Sequence, residues 1–179
     1  MVHKVALSNK ENRKETILAA ALKCFLQFGY AKTSMDDVAR EANLSRPLIY
    51  LKFKNKDALY IGVVEHLTEG RLEQAEKITS SNKTKRDKLI EIYEIFLLEP
   101  WGQIIGKPMS AEFYMVYKTL FREVAEKYKS QILKCIECIL IDKSKSKIFM
   151  LAVEGLKSDL PEVKCLRKRL HILIDHFIR

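Results

Sequence analysis

Apolar residues recur at intervals of three and four along nearly the whole chain, and strict alternation is nowhere sustained. That pattern predicts an all-α protein. A first helix is expected over about residues 12–28, with Leu18, Ala21, Leu22, Phe25 and Phe28 on one stripe and Gly29 as its left-handed stop. A short helix should start where Thr33, Ser34, Asp36 and Asp37 offer capping hydroxyls and carboxylates, and Val38, Ala39 and Ala42 give it a small apolar face. Asn43 suits the left-handed turn that follows. Ser45 is placed to cap a second short helix and Pro47 fits its first turn. Leu48 and Ile49 anchor that helix inward, which leaves Arg46, Tyr50 and Lys52 outward. A fourth helix should open at Asn55 and carry Leu59, Val63, His66 and Leu67 on one face as far as the polar run that starts at Thr79. Residues 88–98 read as another amphipathic helix, broken by Pro100, Gly102, Gly106 and Pro108. Residues 109–141 resume as one helix or two, 142–147 read as a solvated loop, and two last helices divide near Pro161.

Two short helices around a tight turn, followed at once by a basic and aromatic run, make an arrangement that reads DNA. In order and spacing the chain carries Ile17, Leu18, Ala20, Ala21, Phe25, Gly29, Tyr30, Thr33, Ser34, Val38, Ala39, Ala42, Leu44, Ser45, Ile49, Tyr50, Phe53, Lys56 and Leu59. On these residues, about a third of the chain, it resembles the amino-terminal domain of TetR-type bacterial transcriptional regulators. Three departures stand out: Asn43 replaces the usual turn glycine, Pro47 stands where glycine is frequent, and Lys52 replaces an aromatic residue or histidine. The resemblance implies a three-helix helix-turn-helix DNA-binding head over residues 1–55. It also implies a helical ligand-binding and dimerisation body over 56–179, with about nine helices in all.

Charge placement agrees with a polyanion partner at the amino end. Residues 1–60 hold 11 Lys and Arg against 6 Asp and Glu, about half of the formal net charge of +9 in a third of the length. The run Cys138 to Ile141 is too short to span a membrane, and the start has no apolar signal-peptide core. A cytoplasmic protein is expected, associated with the nucleoid when on DNA. No glycine-rich phosphate loop, H-E-x-x-H or G-x-S-x-G motif points to an enzyme. Cys135 and Cys138 form a C-x-x-C, but Ile132, Cys135, Ile136 and Ile139 share an apolar face and nothing completes a zinc site. Core packing is the expectation for them, with a redox role left open. His171 and His176, five apart, do not share a helical face. No metal or other cofactor is called for.

The candidate DNA contacts divide by role. Thr33 with Ser34, and Lys56 at the start of the fourth helix, lie where helix amino termini hold phosphate, and Lys54 adds a cation nearby. By resemblance Thr33, Tyr50 and Lys56 are phosphate contacts. Arg46, Leu48 and Lys52 point toward base edges if the helix capped by Ser45 enters the major groove, and Pro47 can meet a thymine methyl. Lys10, Arg13 and Lys14 offer an arm over neighbouring phosphates or a frayed terminus.

One small head calls for a second copy. Val163, Leu166, Leu170, Leu173 and Phe177 form a narrow stripe suited to helix pairing, and Phe149, Ala152, Gly155 and Leu156 line a face open to close approach. The resemblance makes these two helices a four-helix dimer interface; closure of the subunit's own core is the other reading. A symmetric dimer sets a near-palindromic operator. Seven of the 16 aromatic residues, Tyr93, Phe96, Trp101, Phe113, Tyr114, Tyr117 and Phe121, fall within 29 residues around the helix breaks. They suit either a pocket for a small, hydrophobic effector or an aromatic bundle core. The function expected is a ligand-responsive regulator, a homodimeric repressor released from its operator by that effector. A non-sensing, architectural DNA-binding protein is the alternative.

Overall fold

A computed structural model describes the backbone of residues 2–178 and the side chains from Arg13 onward, so that Lys10 of the expected arm lies outside the described side chains. The described residues are helical, without strands. The helices are α1 (Val2–Phe28), α2 (Met35–Glu41), α3 (Arg46–Tyr50), α4 (Lys56–Thr68), α5 (Arg71–Ser80) and α6 (Lys85–Tyr93). A π-helical turn (Glu94–Leu98) and α7 (Glu99–Ile104) continue α6 without a break, and α8 (Ser110–Thr119), α9 (Arg122–Leu140), α10 (Lys143–Gly155) and α11 (Val163–Phe177) complete the chain. No helix among the described residues is long and apolar enough to cross a membrane.

Packing divides the chain into two units, Met1–Leu67 with Lys107–Phe121, and Thr68–Gly106 with Arg122–Arg179. The division expected at 55/56 separates reading DNA from binding ligand; the packing unit that holds α2 and α3 also takes in most of α4 and all of α8. Its core is built on Ile17, Leu18, Ala21, Cys24 and Phe25 of α1, against Val38, Ile49, Leu59, Tyr60 and Val63. Phe28, expected on the buried stripe of α1, is exposed, because α1 ends there and Gly29 turns the chain away at φ +85°. An aromatic cluster joins α8 to α1 and α4: the Tyr60 ring stacks on Phe121 at 4.7 Å and lies 4.9 Å from Phe113 and 5.3 Å from Phe25. The Tyr60 hydroxyl donates to the Phe113 carbonyl at 2.6 Å.

In the second unit, Leu89, Ile92, Leu98, Ile136, Phe149, Leu166, Leu170 and Ile174 are fully buried. The Trp101 indole donates to the Pro161 carbonyl at 2.7 Å, which fastens α7 to the turn before α11. A π turn shifts the bonding pattern from i−4 to i−5 and so frees backbone carbonyls. Here side chains take them up: Arg71 donates to the Ile95 carbonyl, and the Tyr128 hydroxyl to that of Phe96 at 2.9 Å. Arg71 also pairs with Glu99 at 2.6 Å.

Three local expectations are corrected. The fourth helix does not run to Thr79, because Gly70 at φ +72° ends α4 and opens α5. Pro100 and Gly102 lie inside α7: Pro100 has no N–H to give the Phe96 carbonyl four residues before it, and the Tyr128 hydroxyl takes that carbonyl instead. Residues 142–147 are not a loop: the Asp142 carboxylate accepts the Lys145 N–H at 2.9 Å and caps α10.

The two stripes expected at a dimer interface are largely spent inside the subunit. Phe149, Leu166 and Leu170 are fully buried within the chain itself, and Phe149 packs on Phe177 with ring centroids 4.9 Å apart. Ala152, Leu156, Val163, Leu173 and Phe177 are half-buried and Gly155 is exposed. The apolar side chains left bare on α10 and α11 are Ile148, Leu151 and Ile172. The seven clustered aromatics also part company. Tyr93, Phe96 and Trp101 are buried in the second unit, while Phe113 and Phe121 are buried in the first and half-exposed Tyr114 and Tyr117 belong with them.

Candidate nucleic-acid interface

Ser34 caps α2 in a reciprocal box: its hydroxyl accepts the Asp37 N–H at 3.2 Å, and its own N–H donates to the Asp37 carboxylate at 2.8 Å. The Ser34 hydroxyl, followed by the Ser34 N–H and Arg40, holds the Asp37 carboxyl below its ordinary range. The far end of α2 closes in a Schellman motif, in which the Leu44 N–H reaches the Ala39 carbonyl and the Asn43 N–H that of Arg40. Asn43 sits at φ 53°, the left-handed conformation that the turn needs and asparagine tolerates.

α3 starts at Ser45, whose backbone is extended and whose side chain makes no capping bond, with Pro47 in the first turn. Bonds from Leu51 to the Pro47 carbonyl and from Phe53 to that of Ile49, each 2.9 Å, carry helical geometry past Tyr50. Ile49 and Phe53 are buried and hold this segment down. Arg46, Pro47, Tyr50, Leu51 and Lys54 are exposed, and Leu48 and Lys52 are half-exposed. Arg46 pairs with Asp36 at 3.0 Å, and its guanidinium lies 5.4 Å from the Tyr50 ring centre. A hydrogen bond with Tyr50, then the charge of Asp36, favours its protonated form.

The expected phosphate contacts fare differently. Thr33 is buried, and both its N–H and its hydroxyl donate to the Gly29 carbonyl, at 3.1 and 2.7 Å. It closes the α1–α2 loop, with both of its donors turned to the Gly29 carbonyl. Lys56 is half-buried; its ammonium donates to the carbonyls of Tyr30 at 2.8 Å and Ala31 at 3.3 Å and lies 4.6 Å from the Tyr30 ring centre. Two of its three N–H groups are thus engaged. Tyr30 in turn donates to Asp57, and burial, then that carboxylate, pushes its phenol pKa upward. Asn55 caps α4 by accepting the Ala58 N–H at 2.8 Å.

Residues 17–63 match the family model of bacterial regulatory proteins, tetR family. They contain every element of this surface, from α1 through Lys56. That match makes residues 17–63 a TetR-type amino-terminal domain. Over 66 residues the chain is 42% identical to an uncharacterized HTH-type transcriptional regulator, YhgD, of Bacillus subtilis, covering 37% of this chain and 35% of that one. Over 92 residues it is 30% identical to the HTH-type transcriptional activator FasR of Mycolicibacterium smegmatis, covering 49% and 42%. The chain therefore spans less than half the length of these curated relatives. The fold is that of SmeT, the repressor of the Stenotrophomonas maltophilia multidrug efflux pump SmeDEF, with a TM-score of 0.70 at 18% identity over 92% of this chain and 88% of that one. It is also that of the fatty acid degradation regulator FadR from Bacillus halodurans, with a TM-score of 0.68 at 14% identity over 90% and 94%.

This surface has two features that sequence reasoning missed. Asp36 holds Arg46, a pairing across ten residues that the helix-turn-helix geometry creates. Leu51 is 77% exposed, among the barest large apolar side chains in the protein. Its outward placement follows from counting helical positions from the buried Ile49 and Phe53.

Proposed function

We propose that this protein is a transcriptional repressor that binds a near-palindromic operator as a homodimer in the cytoplasm and leaves it when a small, hydrophobic effector binds. The observation that carries the DNA reading is the capped α2–α3 pair. It holds Ile49 and Phe53 inward and so presents Arg46, Tyr50, Lys52 and Lys54 together. Arg46 is the side chain suited to guanine, on exchanging Asp36 for the base edge, while Tyr50, Lys54 and the remaining donor of Lys56 suit phosphate. Ser34 fixes α2, and Ser45 and Pro47 start α3.

Dimerisation is assigned to the bare outer faces of α10 and α11, where Ile148, Leu151 and Ile172 are exposed and Gly155 and Ala152 permit close approach. The effector is assigned to the interior of the second unit. There the Tyr93 hydroxyl is buried without a hydrogen-bond partner and its ring lies 5.8 Å from Phe149. A buried, unmatched hydroxyl costs about 1–3 kcal/mol, which an effector with an acceptor atom recovers on binding. Such a ligand weakens operator binding by as much as the operator weakens ligand binding.

Selection of bound DNA from a random pool, at two salt concentrations, tests the reading. A palindromic motif that Arg46→Ala relaxes and Tyr50→Ala weakens uniformly is the expected result. Lys54→Ala should lower the salt slope by about 1.8, one phosphate in each half-site. No enriched motif, with binding that collapses as salt rises, refutes the repressor and leaves an architectural DNA binder.

A further inference from the structure

We propose that Leu51, flanked by Pro47 and Leu48, reads the 5-methyl groups of thymine in the operator major groove; the inference rests on the regulator reading above. Side chains on a helix advance by about 100° per residue. Ile49 and Phe53, both buried, lie within about 40° of each other and define the inward direction. Leu51 falls about 180° from their mean, at the outermost pole of the segment, with Pro47 and Leu48 about 40–60° to either side. It has right-handed helical backbone, φ −63° and ψ −26°, so the count holds through it. By the same count Lys54 lies about 60° and Tyr50 about 100° from this pole on one side, with Arg46 beyond Tyr50, and Lys52 lies about 100° from it on the other.

An apolar pole set among cations selects its own partner. The cations favour a polyanion, and three side chains on a five-residue helix are too few to seat a partner helix. The thymine methyl is the apolar group that a major groove displays. The pole itself carries no donor for adenine N7 and no acceptor for the amino groups of adenine or cytosine, which leaves the thymine methyl as its match.

Deoxyuridine in place of thymine removes that methyl and nothing else. With the operator obtained by selection, each thymine of the half-site is replaced in turn, and affinity for the full-length protein is measured by fluorescence anisotropy at fixed salt. Loss of a contacted methyl should weaken binding by about fourfold in one half-site and about fifteenfold when both are changed. Leu51→Ala, at an exposed position that leaves the fold intact, should abolish the thymine–uracil difference. Lys54→Ala should weaken both DNAs alike and keep it. A selected operator whose affinity changes by less than twofold at every uracil position overturns the proposal, as does a Leu51→Ala protein that still discriminates; the regulator reading survives both. Failure to enrich any motif sinks the two together.

Discussion

Gly62 lies in α4 where the helix passes over the exit of α3, and a Cβ built there would stand 2.7 Å from the Phe53 ring and 3.2 Å from Leu18. Phe53 and Leu18 are both buried, so neither can swing into solvent. Alanine at this position gains about 1 kcal/mol from helix propensity. Forcing a methyl into packed surroundings costs about 1–3 kcal/mol. The second effect should win, giving a net loss of up to about 2 kcal/mol and a melting temperature lower by several degrees, at about 4–8 °C per kcal/mol for a unit of this size. Because the Phe53 N–H is bonded to Ile49, a displaced ring also tilts the reading segment, and operator affinity should fall with stability. Thermal melts and anisotropy titrations on Gly62→Ala measure both. Adding Phe53→Leu, which removes the ring edge, should restore part of each. A Gly62→Ala protein that melts higher and binds operator as before would falsify the claim that this contact sets the pose of α3.

Leu151→Glu, on the bare face of α10, should shift the protein from dimer to monomer in sedimentation velocity while leaving its helical signal unchanged. Leu170→Ala should instead destabilise the subunit by about 2–5 kcal/mol in denaturant melts, because Leu170 is fully buried within one chain. Burial, followed by the charges of Glu41 and Asp37, raises the Cys24 thiol from its ordinary 9.0 to about 11. The unfolded chain therefore loses this proton first, and stability should be unaffected below pH 9 and decline between about pH 9 and 11. Cys24→Ala should flatten that decline in urea melts taken across the range. Ile141 holds φ 60° with its side chain exposed, a conformation that costs a β-branched residue about 1–2 kcal/mol. Ile141→Gly should raise the melting temperature, and a lower one would show that the turn before α10 is not strained.

Legibility followed the range of the interactions. The Ser34–Asp37 box and the Asn43 turn are decided within six residues of chain, and the sequence states them almost outright. Gly70 is hidden because apolar spacing continues across it, so periodicity alone hears one helix where the backbone makes two. The Leu166–Leu170 stripe is visible in the sequence, but a stripe does not name what covers it, and a subunit's own core serves as well as a second copy. The aromatic residues near the helix breaks share a stretch of sequence and not a place in space. Tyr60 finds Phe113 and Phe121 more than fifty residues away, and no local pattern announces such a pairing.

That aromatic junction bears on any attempt to move the DNA-reading head to another protein. A cut after α4 would take the helix-turn-helix and leave α8 behind. The Tyr60 hydroxyl would lose the Phe113 carbonyl, the Leu26 carbonyl would lose the Met109 N–H that reaches it at 2.9 Å, and the ring surface of Tyr60 would face water. The head is discontinuous in sequence, a cassette with its last piece stored forty residues downstream. A working chimera must carry residues 107–121 along with the first 67, or supply a substitute segment whose two aromatic rings stand where Phe113 and Phe121 do.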